Sequence, residues 1–288
     1  MANEKKSKLA LKLKTYKSHP GSFALFLIVI LSAIVTVGAL GFIVVHILVN
    51  GIPNLNRDLF AVKYNSDNCS MLPAIVTTVA VTAMTLLVAV PFGIGSAIYL
   101  VEYANKENKI VKIISVTTET LSGIPSIVYG LFGMLFFVYS LHWGKSILAG
   151  AFTLAIMVLP TIMRTSEEAL LAVPVSYREG SFALGVGKLR TIFKIVLPSA
   201  VPGILSGIIL ATGRIVGETA ALMYTAGTDT AMIQNVFSSG RTLAIHMYSL
   251  SREGLHTGEA YATAVVLLIV VMLINALASF IAKRISKV

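Results

Sequence analysis

The stretch "REGSFALGVGKLRTIFKIVLP", from Arg178 to Pro198, decides how the rest of the chain is read. Arg178, Glu179, Lys188, Arg190 and Lys194 interrupt a sequence that is otherwise strongly apolar on both sides. Leu189, Ile192, Phe193 and Val196 recur at helical spacing and give one apolar stripe, with Lys188, Arg190 and Lys194 largely off it. Gly185 and Gly187 permit a bend ahead of that helix. The expectation is a helix, a turn and a second helix projecting from a bilayer, ended by Leu197-Pro198. An exposed apolar stripe needs a partner, either lipid headgroups or a groove on another protein.

Composition supports the bilayer. Of 288 residues, 56% are hydrophobic and only 12% are charged, about half the charged fraction of a soluble domain. Spans are expected at about 23–49, 74–101, 120–140, 147–164, 199–225 and 260–282, each near the ~20 residues that cross a hydrocarbon core. The fold expected is therefore all-α, a membrane protein of six transmembrane helices. A basic tail, 1–22, precedes the membrane-spanning body, 23–288, and a loop at 166–198 joins the fourth and fifth spans. The first span is too long for a signal h-region, and no small-residue cleavage site follows it. Cys69 is the single cysteine, so no internal disulfide forms, and the five histidines show no ligand-like spacing.

The net charge of +10 belongs to topology here. With the tail inside, Lys5, Lys6, Lys8, Lys12, Lys14, Lys17, Lys106, Lys109, Lys112, Arg178, Lys188, Arg190, Lys194, Lys283, Arg284 and Lys287 are all cytoplasmic. Only Arg57, Lys63, Lys145, Arg241 and Arg252 fall outside. The excess puts both termini in the cytoplasm and the quoted loop with them. Nucleic acid is not an expected partner; membrane lipid is.

The loop also carries a pattern. Glu179, Gly185 six residues on, Ile195 and Leu197-Pro198 resemble the "EAA" loop of ATP-binding-cassette importer permeases, with Gly180 and Ser181 in place of the two alanines. "PFGIGSAIYLVEYA" (Pro91 to Ala104), "GIPSIVYGLFG" (Gly123 to Gly133), "LPTIMRTSEEAL" (Leu159 to Leu170) and "GRIVGETAAL" (Gly213 to Leu222) resemble the phosphate-specific importer permeases, and the C-terminal stretch looks more like their A-type subunit. The resemblance implies an ABC importer permease (MetI-like) fold in the inner membrane. It implies a second permease of PstC type, an ATPase dimer of PstB type and an extracytoplasmic phosphate-binding protein of PstS type as partners. It further implies ATPase coupling through Glu179, Gly180, Ser181, Gly185, Ile195, Leu197 and Pro198. No cofactor and no enzymatic activity of the chain's own are expected; ATP hydrolysis would belong to the partner subunit. Permeation of another oxyanion, phosphonate or molybdate, is the alternative, and an ion-coupled secondary transporter with Glu218 as proton carrier a further one. A helix lying at the interface without a protein partner is the bland reading of the loop.

Residues for a substrate pathway follow from burial of charge. Arg214 lies roughly 21 Å along a helix from Ala200, and Glu218 is expected one turn further on the same face. A charge at that depth is unfavourable unless paired or facing water. A guanidinium binds two phosphate oxygens at once, and Glu218 would neutralise Arg214 between anions or accept from a protonated phosphate hydroxyl. A purely structural ion pair is the competing reading. Arg164, near the cytoplasmic end of the fourth span, is either an exit-side phosphate contact or a side chain snorkelling to headgroups. Gly123 and Pro125 interrupt the approach to the third span, as a cavity-lining break or a packing kink. "GKS" at Gly144 to Ser146 lacks the glycine a P-loop needs five residues earlier, where Tyr139 stands.

Overall fold

A computed structural model describes residues 20–105 and 107–285. Most of the basic tail, together with Lys106 and Lys287, lies outside the described residues. The chain divides into two units, Met1–Asn50 and Gly51–Val288. The first is dominated by helix α1 (Pro20–Gly51), apolar on every side. The second is a helical bundle, and no strand occurs among the described residues.

The bundle begins with α2 (Leu72–Ile98), whose end widens into a π-helical turn, Tyr99–Tyr103. Helix α3 (Lys109–Ser122) follows after an Asn108 N-cap, whose side chain accepts from the Ile110 amide. Helix α4 (Ser126–Gly133) continues as a π-helical run to Ser140. The expected third span is therefore two helices, bent by 106° at Gly123–Pro125. Pro125 cannot continue α3 and fixes an extended residue ahead of α4. The hydroxyl of Tyr129 donates to the Leu121 carbonyl at 2.7 Å and holds the elbow closed.

Helix α5 runs from Ile147 to Leu171, seven residues past the expected end at 164, and Pro160 does not stop it. Its first amides donate to a returning loop: Ile147 to the Ser238 carbonyl at 3.0 Å and Leu148 to that of Val236 at 2.9 Å. Then come α6 (Val175–Ala183), α7 (Lys188–Thr191), a π-helical turn at Ile192–Val196, α8 (Leu197–Val216), the short α9 (Ala220–Thr225), α10 (Leu243–Glu253) and α11 (Thr257–Ile285). Among the described residues five helices are long and apolar enough to cross a membrane, six if the bent pair counts as one span.

Leu197-Pro198 does not end a helix, contrary to the sequence expectation. The helical run is continuous from Lys188 to Val216. The widened turn just before Pro198 relieves the clash of its ring with the carbonyl four residues back.

Small residues bring the bundle together. Helix α8 packs antiparallel on α5, with Gly203 against Ala169 and Gly207 against Thr165, a pairing of small residues four apart that lets backbones approach. A Cβ on Gly203 would sit 2.6 Å from that of Ala169. Gly93 of α2 meets Ile162 of α5 in the same way. Several buried threonines satisfy their hydroxyls on their own helix four residues back, as Thr153 does on Ala149 at 2.7 Å and Thr212 on Ile208 at 2.8 Å, while Thr85 of α2 donates to the Ala151 carbonyl of α5 at 3.3 Å. The central core is Val81, Leu154, Met157, Ile162, Ile215 and Leu222. A second cluster, with Leu100, Leu170 and Val196, closes the end that carries α6 and α7. A third, with Cys69, Met71, Leu243 and Leu250, closes the opposite end.

Candidate functional site: a projecting helical loop and three charged side chains

The segment from Ala172 to Pro198 is built around a C-cap. Gly185 has φ +78°, a conformation that a Cβ makes unfavourable. Its amide donates to the Phe182 carbonyl at 2.9 Å, and that of Val186 donates to Ser181 at 3.1 Å. These are the two bonds of a Schellman motif with glycine at its left-handed position. The glycine of the motif thus turns the chain from α6 into α7. Ser181 is buried, and its hydroxyl shares a hydrogen bond of 2.8 Å with that of Thr191. The two helices meet there, so a small residue is required at 181. Gly180 has open space where a Cβ would stand, and Glu179 is exposed.

The expected single apolar stripe divides in two. Ile192 and Val196 are buried in the bundle, whereas Leu189 and Phe193, four apart, face outward. Phe182 and Leu184, the latter 85% exposed, also face out of the bundle on the loop, and Phe193 lines an apolar groove with Val90 and Ile94 of α2. Ile195, Leu197 and Pro198 are half-buried where α7 joins α8. Arg178 anchors the loop: its Nη2 lies 2.7 Å from Oε1 of Glu102. The ammonium of Lys188 donates to the Glu102 carbonyl and sits 4.6 Å from the Tyr103 ring centre.

Arg214 and Glu218 do not pair. Gly217 ends α8, so the fifth span expected over 199–225 is broken at 217–219 and Glu218 leaves the face that Arg214 occupies. Glu218 is buried, and its Oε1 accepts from the Ala221 amide at 3.1 Å, capping α9. Arg214 is half-buried, close to Tyr129 and the elbow of α3 and α4, and makes no ion pair or hydrogen bond among the described residues.

Arg164 stands apart from both. It lies 3.8 Å from Glu119 of α3 and 3.5 Å from Glu168 on its own helix. All three side chains are exposed, and with Ser115, Thr118, Glu167, Met163 and Leu171 they line a mixed polar and apolar cavity of about 260 Å³. Sequence reasoning missed the carboxylate partners of Arg164 and the acidic anchor Glu102. Glu102 had a signal of its own: it is the only charge in "PFGIGSAIYLVEYA".

At the far end of the bundle, His246 is fully buried, and its Nε2 lies 3.2 Å from the Cys69 carbonyl. Burial, assisted by the charge of Arg241, lowers its pKa to about 3. Burial also raises that of the Cys69 thiol. No cluster of metal-ligating side chains occurs among the described residues.

The family model described as "Binding-protein-dependent transport system inner membrane component" matches residues 89–287. The chain belongs to that family. This permease is 34% identical over 260 residues to the probable ABC transporter permease protein YqgI of Bacillus subtilis, covering 84% of this chain and 88% of that one. It is 36% identical over 211 residues to the phosphate transport system permease protein PstA 1 of Mycobacterium tuberculosis, covering 72% and 69%. The resemblance to PstA-type permeases read from the sequence is thus shared with whole relatives. Among solved structures, the permease aligns with a bacterial alginate ABC transporter at a TM-score of 0.67 and 16% identity, over 94% of this chain and 98% of that one. It aligns with the MetNI methionine ABC transporter at 0.56 and 20%, over 74% and 93%. At such identities the likeness is one of fold: the permease has the ABC importer permease fold.

Proposed function

We propose that this permease is the A-type subunit of an ATP-driven inorganic phosphate importer. It would form the translocation pathway with a second permease of PstC type. An ATPase dimer of PstB type would dock on its loop, and a binding protein of PstS type would deliver phosphate from outside, with both termini in the cytoplasm.

One observation supports the substrate class above the others: Arg214, a half-buried cation with no counter-ion among the described residues, in a chain whose relatives include a phosphate permease. A cation at membrane depth is retained where it meets a charge in transit. Its planar fork offers two parallel N–H donors to a tetrahedral oxyanion. Glu218 has one oxygen on the Ala221 amide. The other would accept the hydroxyl of a protonated phosphate, which sulfate lacks at neutral pH. Arg164 would meet the ion at the loop end of the bundle, where the anion displaces Glu119 and Glu168.

The coupling step is mechanical. Glu179, Gly180, Ser181, Gly185, Ile195, Leu197 and Pro198 shape the loop, and its outward Leu184, Leu189 and Phe193 would enter a groove on the ATPase. Closure of the ATPase dimer moves the loop, tilts the spans and opens the pathway outward, and hydrolysis resets it. The chain itself breaks no covalent bond. The test is uptake of radiolabelled phosphate by the complex reconstituted in proteoliposomes, with unlabelled sulfate, phosphonate and molybdate as competitors. Phosphate alone should compete. Competition by molybdate or phosphonate equal to that by phosphate would assign another oxyanion.

A further inference from the structure

Glu102 sits in the π-helical turn that ends α2, with its side chain 8% exposed, and Arg178 of α6 is 16% exposed. The guanidinium donates to Oε1 of Glu102 from Nε at 2.9 Å and from Nη2 at 2.7 Å. It also donates from Nη1 to the Val173 carbonyl and from Nη2 to the Leu170 carbonyl, each at 3.0 Å. Leu170 lies in the last turn of α5, where its carbonyl also takes the Val173 amide at 3.4 Å. One side chain of the loop therefore closes the ends of both α2 and α5. Lys188, which opens α7, bonds the Glu102 carbonyl, so both loop helices are fastened to the same residue.

Apolar packing would hold these ends together at least as well, because an enclosed ion pair gives up much of its attraction to desolvation. What the pair adds is direction. Several charge-assisted bonds at fixed angles resist sliding and rotation, which apolar contacts permit.

We infer that Glu102 and Arg178 are positioning residues of the transport cycle, forming the joint that passes displacement of the loop to α2 and α5. The inference rests on the reading of the loop as the ATPase-docking element. Helix α5 carries Arg164, six residues before Leu170 and so about 9 Å along the axis. Motion entering at the joint reaches that cation directly.

The experiment uses the whole complex of both permeases, ATPase and binding protein in proteoliposomes. ATP hydrolysis with and without loaded binding protein, and phosphate imported per ATP, are measured for Glu102→Ala, Glu102→Gln and Arg178→Lys. Variants that co-purify with the ATPase as wild type does should import at least about fivefold less phosphate per ATP, the lower end of ordinary coupling between sites. Basal hydrolysis should be retained and stimulation by binding protein lost. Glu102→Gln, which keeps an acceptor for the guanidinium, should fall between Glu102→Ala and wild type, and it decides the matter if Glu102→Ala does not assemble. Phosphate per ATP unchanged, with uptake falling only in proportion to assembled complex, would overturn the joint and leave a structural pair. A wild-type complex in which binding protein never stimulates the ATPase would instead overturn the docking reading beneath it.

Discussion

The carboxylate of Glu218, four residues beyond Arg214, bonds the Ala221 amide at 3.1 Å and leaves the guanidinium without an acidic partner among the described residues. The helix break at Gly217 produces this separation. Two residues that an unbroken helix would place one turn apart on one face are therefore held separately.

Arg214→Gln is expected to abolish most uptake while the complex assembles. Hydrogen bonds to a charged group contribute about 1.5–3 kcal/mol, so transport at low phosphate should fall about 10- to 100-fold. Arg214→Lys keeps the charge, loses the fork and should fall between. Initial rates of labelled phosphate uptake across a concentration series decide it. Unchanged rates in Arg214→Gln would remove this residue from the pathway.

Glu218→Ala removes a cap and should destabilise the fold by about 0.5–2 kcal/mol. Glu218→Gln still presents an oxygen to the Ala221 amide, so it should melt like wild type. It carries no charge to receive a protonated phosphate, so its uptake should fall with stability intact. Melting curves beside uptake rates separate the two roles.

Helix packing makes Gly207→Ala and Gly180→Ala opposites. The first drives a methyl into Thr165 and should cost about 1–3 kcal/mol by overpacking. The second meets open space in an exposed helix and should be neutral or stabilising by up to about 1 kcal/mol. A bulky Gly180→Trp should fold equally well yet weaken co-purification of the ATPase, since only a partner would feel the added volume.

His246 makes stability fall in mild acid. Its pKa in the fold is about 3 against an ordinary 6.5. Between those values the unfolded chain takes up a proton that the folded chain excludes. Stability is complete above the upper value and falls toward the lower, by at most about 1.4 kcal/mol per pH unit. His246→Gln should flatten that slope between about pH 6 and about pH 4, measured as melting of the detergent-solubilised complex. An equal slope in both proteins would place the acid sensitivity elsewhere.

The spans were legible because hydropathy reports where lipid is. The ends of helices were not, because a helix continues past the membrane wherever its backbone stays bonded. Helix α5 runs on from Arg164 through Ser166, Glu167 and Glu168, and those last three read as the start of a loop. Proline read correctly at one site and not at the other: the break expected at Gly123 and Pro125 is there, whereas Pro198 sits inside a helix that a π-helical turn accommodates. The projecting loop was readable at Gly185, because a left-handed C-cap demands glycine, while Glu102, distant in sequence, gave no hint of its bond to Arg178. Glu218 was read one turn beyond Arg214 on the same face, and it leaves that face because the helix ends at Gly217.

The most direct test of the whole account is a crosslink from Leu184→Cys to the ATPase subunit. Cys69 is buried and its thiol pKa is raised, so it competes little for the reagent. The account predicts that the new thiol bonds a cysteine placed in the docking groove of the ATPase, and that transport stops until the bond is reduced. Capture of the same thiol by a membrane-impermeant reagent added outside intact cells, with ATP-driven uptake continuing, would contradict it.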